Sequence, residues 1–128
     1  MLNESTLKEN AMHLVICGTY GPTDPTRAML PFVLAASAVQ AGDTATIMLF
    51  HDAVLMAIQS AAQKLVPVGP PNRYEEIAAN PKVALWACRP CVEARGINPA
   101  SLDSRVKLGG MNDFHAALKQ PDSKAVSF

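Results

Sequence analysis

Residues 83–97, VALWACRPCVEARGI, determine how the rest of the chain is interpreted. The run 83–87 is short and apolar, which is typical of a buried strand. Pro90 favours a helix that begins directly after Cys88, because proline is well tolerated in the first helical turn, where no backbone N–H is needed. The stretch therefore predicts a strand that ends at one thiol and a helix that carries a second thiol, Cys91.

The two thiols are the candidate reactive groups of the chain. Unsatisfied N–H groups at a helix N-terminus stabilise an anion, and Arg89 and Arg95 add positive charge nearby. Such surroundings lower the pKa of a thiol from about 8.5, so we expect Cys88 to be reactive at neutral pH. The alternative is a buried packing residue, which is a common role of free cysteine. Two cysteines spaced i and i+3 around a strand-to-helix turn favour the chemical role.

Composition excludes several classes of protein. Eleven basic and eleven acidic side chains cancel within 128 residues, so the chain has no electrostatic footprint for nucleic acid or an anionic membrane. Three cysteines, an odd number, do not form a secreted disulfide framework, and no apolar stretch has the length of a membrane span. We therefore expect a cytoplasmic location. Because only 17% of the residues are charged, we also expect part of the apolar surface to meet another subunit.

Strand and helix patterns alternate along the chain. We expect an N-terminal arm over residues 1–11 and a single α/β domain over residues 12–128. Strands are predicted at 13–17, 44–50, 83–87, 105–108 and 125–128, and helices at 25–40, 53–65, 73–79, 89–95 and 113–119. This order predicts a three-layer α/β/α architecture with a mainly parallel five-stranded sheet.

Polar residues follow the predicted strands at their carboxyl ends, where parallel sheets bind ligands. The segments 19–24, 51–52, 88–91 and 109–112 should therefore meet on one rim. We assign Cys88 and Cys91 as catalytic residues. Candidate substrate-binding residues on the same rim are Asp24, His51, Arg89 and Gly110. Asp24 also has the pattern of a helix cap, and His51 is either a polar rim residue or a base for Cys88.

Cofactor and metal motifs are missing from the sequence. The loop that begins at Gly18 lacks both the G-x-G-x-x-G spacing and the G-K-[ST] ending of phosphate-binding loops. One C-x-x-C and three histidines do not supply the second ligand pair of a zinc ribbon. We expect no cofactor and no metal, and we expect Cys17 to be a packing residue.

Several motifs occur in an order and spacing that resemble the DsrE/DsrF-like family, which includes the TusD-type sulfur-relay subunits. They are the segments 21–25, 50–54 and 106–110, and Cys88 eight residues before Gly96. The resemblance implies a flavodoxin-like fold in trimers or hexamers. It also implies that a cysteine at the position of Cys88 accepts sulfur as a persulfide. Cys91 is a second thiol that the TusD-type pattern does not need.

Two hypotheses from different classes follow. The first is a cytoplasmic sulfurtransferase or sulfur carrier that forms a persulfide on Cys88 and relays sulfur between donor and acceptor proteins or small sulfane-sulfur compounds. In it, attack of Cys91 on the persulfide releases sulfide and leaves a disulfide. The alternative is a non-catalytic oligomeric module that binds a small ligand or senses redox state through the Cys88/Cys91 pair. A thioredoxin-like reductase fits the order of elements less well.

Overall fold

A computed structural model describes residues 10–128 and contains one sheet of five parallel strands. The strands are β1 (His13–Gly18), β2 (Thr44–Leu49), β3 (Val83–Cys88), β4 (Lys107–Gly109) and β5 (Ser123–Ser127). Their spatial order is β4-β3-β2-β1-β5, and every neighbouring pair is parallel. The predicted α/β fold with a five-stranded sheet is confirmed. Most of the predicted arm, residues 1–11, lies outside the described residues.

Four α-helices connect the strands. They are α1 (Pro25–Gln40), α2 (Tyr74–Ala78), α3 (Arg89–Ala94) and α4 (Met111–Leu118), with 3₁₀ helices at His51–Ala57, Ala62–Lys64 and Pro99–Ser101. Strands β1 to β4 follow one another in one direction across the sheet, so the right-handed rule for parallel crossovers puts α1, α2 and α3 on one face. The return from β4 to β5 runs in the opposite direction, so the same rule puts α4 on the other face. Within residues 10–128, no helix is long and apolar enough to cross a membrane.

The core lies on both faces of the central strands. Val15, Ile16, Ile47 and Met48 have no exposed surface, which is typical of strands in a covered parallel sheet. Helix α1 adds Phe32, whose ring lies 5.0 Å from that of Tyr74. This packing fixes the sheet against α1 and α2 and leaves the carboxyl ends of the strands at one edge.

The predicted helix over 53–65 is wrong. The segment forms two short 3₁₀ helices, separated by Ile58 in an extended conformation and Ser60 at φ 66°. Its backbone hydrogen-bonds to a distant segment instead of continuing a helix: Gln59 N–H donates to the Ser101 carbonyl at 2.9 Å, and Asp103 N–H donates to the Ala57 carbonyl at 2.8 Å. A tertiary partner therefore overrides the local helical pattern.

Three element starts differ by two residues from the sequence prediction, and the other differences at strand and helix ends are single residues. Strand β4 begins at Lys107 rather than at Arg105, because the Arg105 N–H donates to the Asp103 carboxylate at 3.0 Å and closes a turn there. Helix α4 begins at Met111 with Gly110 as its N-cap, two residues before the predicted start. The edge strand β5 begins at Ser123, two residues before its predicted start.

A buried carboxylate joins the loop before β4 to α2. The side chain of Asp103 is 7% exposed and accepts hydrogen bonds from Arg105 at 2.8 and 2.9 Å and from the Tyr74 hydroxyl at 3.0 Å. Arg105 also pairs with Glu75. Hydrogen bonds from the Arg105 guanidinium hold the pKa of Asp103 at about 2, and the same guanidinium lowers the pKa of Glu75 to about 2. The network stabilises the fold only while both carboxylates are ionised.

We predict that this network makes the fold sensitive to acid. In the unfolded chain the two carboxyl groups have pKa values of about 4, above their folded values, so the stabilisation is complete above about pH 5 and is lost as pH falls toward 2. The substitution Asp103→Asn should lower the free energy of unfolding by about 2 kcal/mol at pH 7. Denaturant unfolding at pH 7, 5 and 3 measures the difference from wild type, which should shrink as pH falls. A difference that is constant over this range contradicts the prediction.

Candidate functional site: a thiol pair at the strand rim

The carboxyl ends of β2, β3 and β4 leave the sheet side by side. Leu49 pairs with Ala87 across β2 and β3, and Cys88 pairs with Gly109 across β3 and β4. The residue after β2, Phe50, packs edge-on against Phe114 of α4, with 5.5 Å between ring centres. The prediction that the segments after these strands meet on one rim is confirmed. The register of the sheet places the carboxyl ends of the three strands side by side.

Cys88 and Cys91 are neighbouring free thiols on this rim. Cys88 is the last residue of β3 and its residue surface is 7% exposed, whereas Cys91 lies in the first turn of α3 and is half-buried. Cys88 is also the N-cap of α3, but its side chain makes no capping hydrogen bond. The C-x-x-C spacing thus places one covered sulfur and one partly exposed sulfur at the same strand-to-helix junction.

The prediction that the pKa of the Cys88 thiol is lowered is wrong. Burial raises the pKa of the Cys88 thiol, and only the N–H of Cys91 and the charge of Arg95 oppose this shift. Helix α3 has six residues, so few aligned peptide dipoles act on the sulfur, and removal of solvent dominates. Burial therefore disfavours the thiolate form of Cys88 in the folded protein.

His51 contacts Cys91 through its backbone. Its N–H donates to Cys91 Sγ at 3.2 Å, and its φ of 54° lies in the left-handed region that non-glycine residues rarely adopt. The imidazole faces elsewhere: Nδ1 accepts a hydrogen bond from Arg95 Nη2 at 2.6 Å, since a guanidinium only donates. The contact of His51 with the thiols is therefore a main-chain donor to Cys91 rather than an imidazole base on Cys88.

Arg95 connects the segment after β2 to α3. It donates to Asp52 Oδ1 from Nε at 3.1 Å and from Nη2 at 2.8 Å, and from Nη1 to the Cys91 carbonyl at 3.2 Å. These hydrogen bonds from Arg95 lower the pKa of Asp52. Sequence reasoning missed the role of Asp52, which is 43 residues from its partner. The only feature of the sequence that pointed to this role of Asp52 was its position after β2, on the rim shared with α3.

The loop after β1 supports this arrangement through a close backbone contact. A Cβ atom at Gly21 would lie 2.5 Å from the Asp52 carbonyl oxygen, so only glycine fits there. Asp24 follows as the N-cap of α1: its carboxylate accepts from Arg27 N–H at 3.1 Å and its own N–H donates to the Gly21 carbonyl at 3.0 Å. Asp24 thus holds the turn that packs on Asp52, without contacting a sulfur itself.

The other predicted rim residues lie near the thiols in different ways. Arg89 directly follows Cys88, is exposed, and makes no side-chain hydrogen bond or ion pair within residues 10–128. Gly110 follows the residue that pairs with Cys88, and its N–H donates to Asp113 Oδ2 at 2.8 Å. Cys17 lies in β1, where burial raises its pKa. In the described part of the chain, no three His, Cys, Asp or Glu side chains form a group that could hold a metal ion.

A surface cavity of about 410 Å³ between α1 and α2 lies away from the thiols. Its charged lining residues, Arg73 and Glu76, are 2.8 Å apart and pair with each other. We place the functional site at the thiol rim instead, because the nucleophiles and the hydrogen-bond donors that face them are there.

Comparison with known proteins agrees with this fold. The model of the DsrE/DsrF-like family matches residues 12–128. The chain belongs to the DsrE/DsrF-like family. No curated protein sequence matches it significantly.

Among solved structures of this fold, the YchN protein from E. coli has a TM-score of 0.73 and 20% sequence identity, covering 91% of this chain and 99% of YchN. The protein of unknown function MTH1491 from Methanobacterium thermoautotrophicum has a TM-score of 0.62 and 10% identity, covering 92% of this chain and 98% of MTH1491. At these identities the two structures support the fold alone.

We predict that the close contact at Gly21 is needed to hold the rim. The substitution Gly21→Ala places a methyl group against the Asp52 backbone and should lower the free energy of unfolding by about 2 kcal/mol. Gly110→Ala is the matched control, because its Cβ would meet no atom within 4 Å and its φ is −154°. It should cost less than about 1 kcal/mol. Chemical denaturation measures both, and equal losses would contradict the assignment.

Proposed function

We propose that this chain is a cytoplasmic sulfurtransferase or sulfur carrier that holds sulfane sulfur as a persulfide on the Cys88/Cys91 pair. Membership of the DsrE/DsrF-like family favours a sulfur-relay type of function. The observation that carries the proposal is the pair of free thiols at the junction of β3 and α3, one of which accepts the His51 N–H, with Arg95 bonded to the carbonyl of the same residue. Thiolates attack sulfane sulfur, and such donors stabilise the anions that form and leave.

Binding of the sulfur donor is assigned to residues around the pair. Arg89 is the exposed cation next to Cys88 and would attract anionic sulfur compounds or an acidic surface of a donor protein. His51 supplies its N–H at Cys91. Asp24 and Gly110 contribute by holding the two loops that border the pair. No step of this chemistry needs a cofactor, a metal or nucleic acid.

The functional unit is proposed to be the single domain 12–128 in a homo-oligomer, a trimer or hexamer. Exposed apolar side chains at both ends of α4 support an interface: Met111 is 64% exposed and Leu118 is 37% exposed. Sulfur donor and acceptor proteins, or small sulfane-sulfur compounds, complete the relay.

A second candidate function is redox sensing, which the position of two free thiols three residues apart at one strand-to-helix junction favours. Oxidation of such a pair to a disulfide is reversible, and an oligomeric binding module could respond to that change. Redox sensing needs an oxidant but no sulfur donor, so one experiment can distinguish the two functions.

We predict that the reduced protein gains the mass of one sulfur atom after exposure to inorganic polysulfide. The double variant Cys88→Ser/Cys91→Ser should lose this gain completely, because both candidate acceptors are removed. Cys17→Ala is the matched control and should load like wild type. Intact-protein mass spectrometry before and after addition of a reductant measures the gain and its reversal. Formation of a Cys88–Cys91 disulfide in wild type with neither sulfur loading nor sulfide release would favour redox sensing instead.

A further inference from the structure

We infer that the two thiols have separate roles: Cys91 receives the sulfur, and Cys88 is the thiol that later releases it. This inference rests on the proposed function and reverses the order expected from the sequence, which placed the persulfide on Cys88. Three features of the described rim carry it, namely solvent access, the donor that faces the Cys91 sulfur, and the position of both thiols at one strand-to-helix junction.

Solvent access favours Cys91 as the entry point. Cys88 is 7% exposed and belongs to the buried core at the end of β3, whereas Cys91 is half-buried at the start of α3. A thiolate attacks a sulfane sulfur only when the donor can approach the nucleophile, with the bond that breaks extending away from it. A donor that arrives from solvent therefore reaches Cys91 before it reaches Cys88.

The hydrogen-bond donors on the rim are also distributed toward Cys91. The His51 N–H points at Cys91 Sγ from 3.2 Å, and Arg95 bonds to the carbonyl of the same residue. Arg95 is held in place by its two hydrogen bonds to Asp52 and also bonds to the His51 imidazole. The only donor outside the thiol pair that points directly at a sulfur in the described rim is therefore the His51 N–H, and that sulfur belongs to Cys91.

Cys88 has the properties of a resolving thiol. Its burial raises its pKa and shields its sulfur from donors in solution. Its position as the N-cap of the helix that carries Cys91 nevertheless gives it a high effective concentration toward any sulfur bound there, since the two residues are three positions apart at one strand-to-helix junction. A buried thiol of this kind reacts inside the protein and not with the donor.

The first step transfers one sulfur to Cys91. The Cys91 thiolate attacks the terminal sulfane sulfur of a polysulfide and forms a new sulfur–sulfur bond. The bond to the rest of the polysulfide breaks, and the shortened chain leaves with the electron pair. The product is Cys91–S–SH, which an acceptor thiol can attack at its outer sulfur to complete the relay.

The second step occurs when no acceptor arrives. The Cys88 thiolate attacks Cys91 Sγ, a Cys88–Cys91 disulfide forms, and the outer sulfur leaves with the bonding electrons as hydrosulfide. The sulfane sulfur gains two electrons, the two thiols lose two, and the proton of Cys88 passes to the leaving sulfide. An external dithiol then reduces the disulfide. Cys88 thereby determines whether bound sulfur is relayed or released as sulfide.

Single variants exposed to inorganic polysulfide test this order. After removal of excess polysulfide, Cys91→Ser should show no gain of sulfur. Cys88→Ser should gain one sulfur, keep it, and release no sulfide. Wild type should first gain sulfur and then release sulfide while its mass falls to that of the disulfide, two hydrogens below the reduced chain. Cys17→Ala should follow the wild-type course.

The outcomes separate the inference from the function on which it rests. Loading that survives Cys91→Ser and disappears with Cys88→Ser overturns the inference and leaves the proposed function intact. The absence of both sulfur loading and sulfide release in wild type overturns the proposed function itself. Because Cys88 is buried, Cys88→Ala is measured in parallel in case serine disturbs folding. Tandem mass spectrometry of briefly loaded wild type, with the persulfide trapped by alkylation, must place the extra sulfur on Cys91.

Discussion

The arrangement of the thiol rim depends on the hydrogen bonds that the Arg95 guanidinium donates. It bonds to the Asp52 carboxylate, to the His51 imidazole and to the Cys91 carbonyl, and so ties the turn after β2 to α3. Without this link the His51 backbone would lose a support for its left-handed conformation, which aims its N–H at the sulfur. The planar fork of an arginine suits this task because it donates several hydrogen bonds in a fixed geometry.

The different burial of two neighbouring thiols gives the site its chemical asymmetry. A strand end is covered by the core, while the first turn of the following helix emerges from it, so a C-x-x-C at this junction places one sulfur inside and one at the surface. The covered thiol, Cys88, is shielded from sulfur donors in solution, and the partly exposed thiol, Cys91, accepts a hydrogen bond from the His51 N–H. The same spacing would give no such asymmetry in the middle of an exposed helix.

Much of the architecture could be predicted from the sequence, because the strands are short apolar runs and proline and glycine mark the ends of α1 and α3. The break near Ile58 could not, since it depends on hydrogen bonds to residues more than 40 positions away. The Asp52–Arg95 pair could not be predicted either, because its two residues are 43 positions apart in the sequence. The pKa direction of Cys88 was wrong because the sequence indicated a helix N-terminus but not how deeply the sulfur is buried.

The most direct test of the account is a time course of alkylation of the reduced wild-type protein with iodoacetamide, read at each cysteine by tandem mass spectrometry. Cys91 should be modified before Cys88, which should stay protected until the protein unfolds. The same reaction in denaturant, where burial no longer separates the three thiols, gives the reference rates. Modification of Cys88 as fast as that of Cys91 in the folded protein would contradict the account.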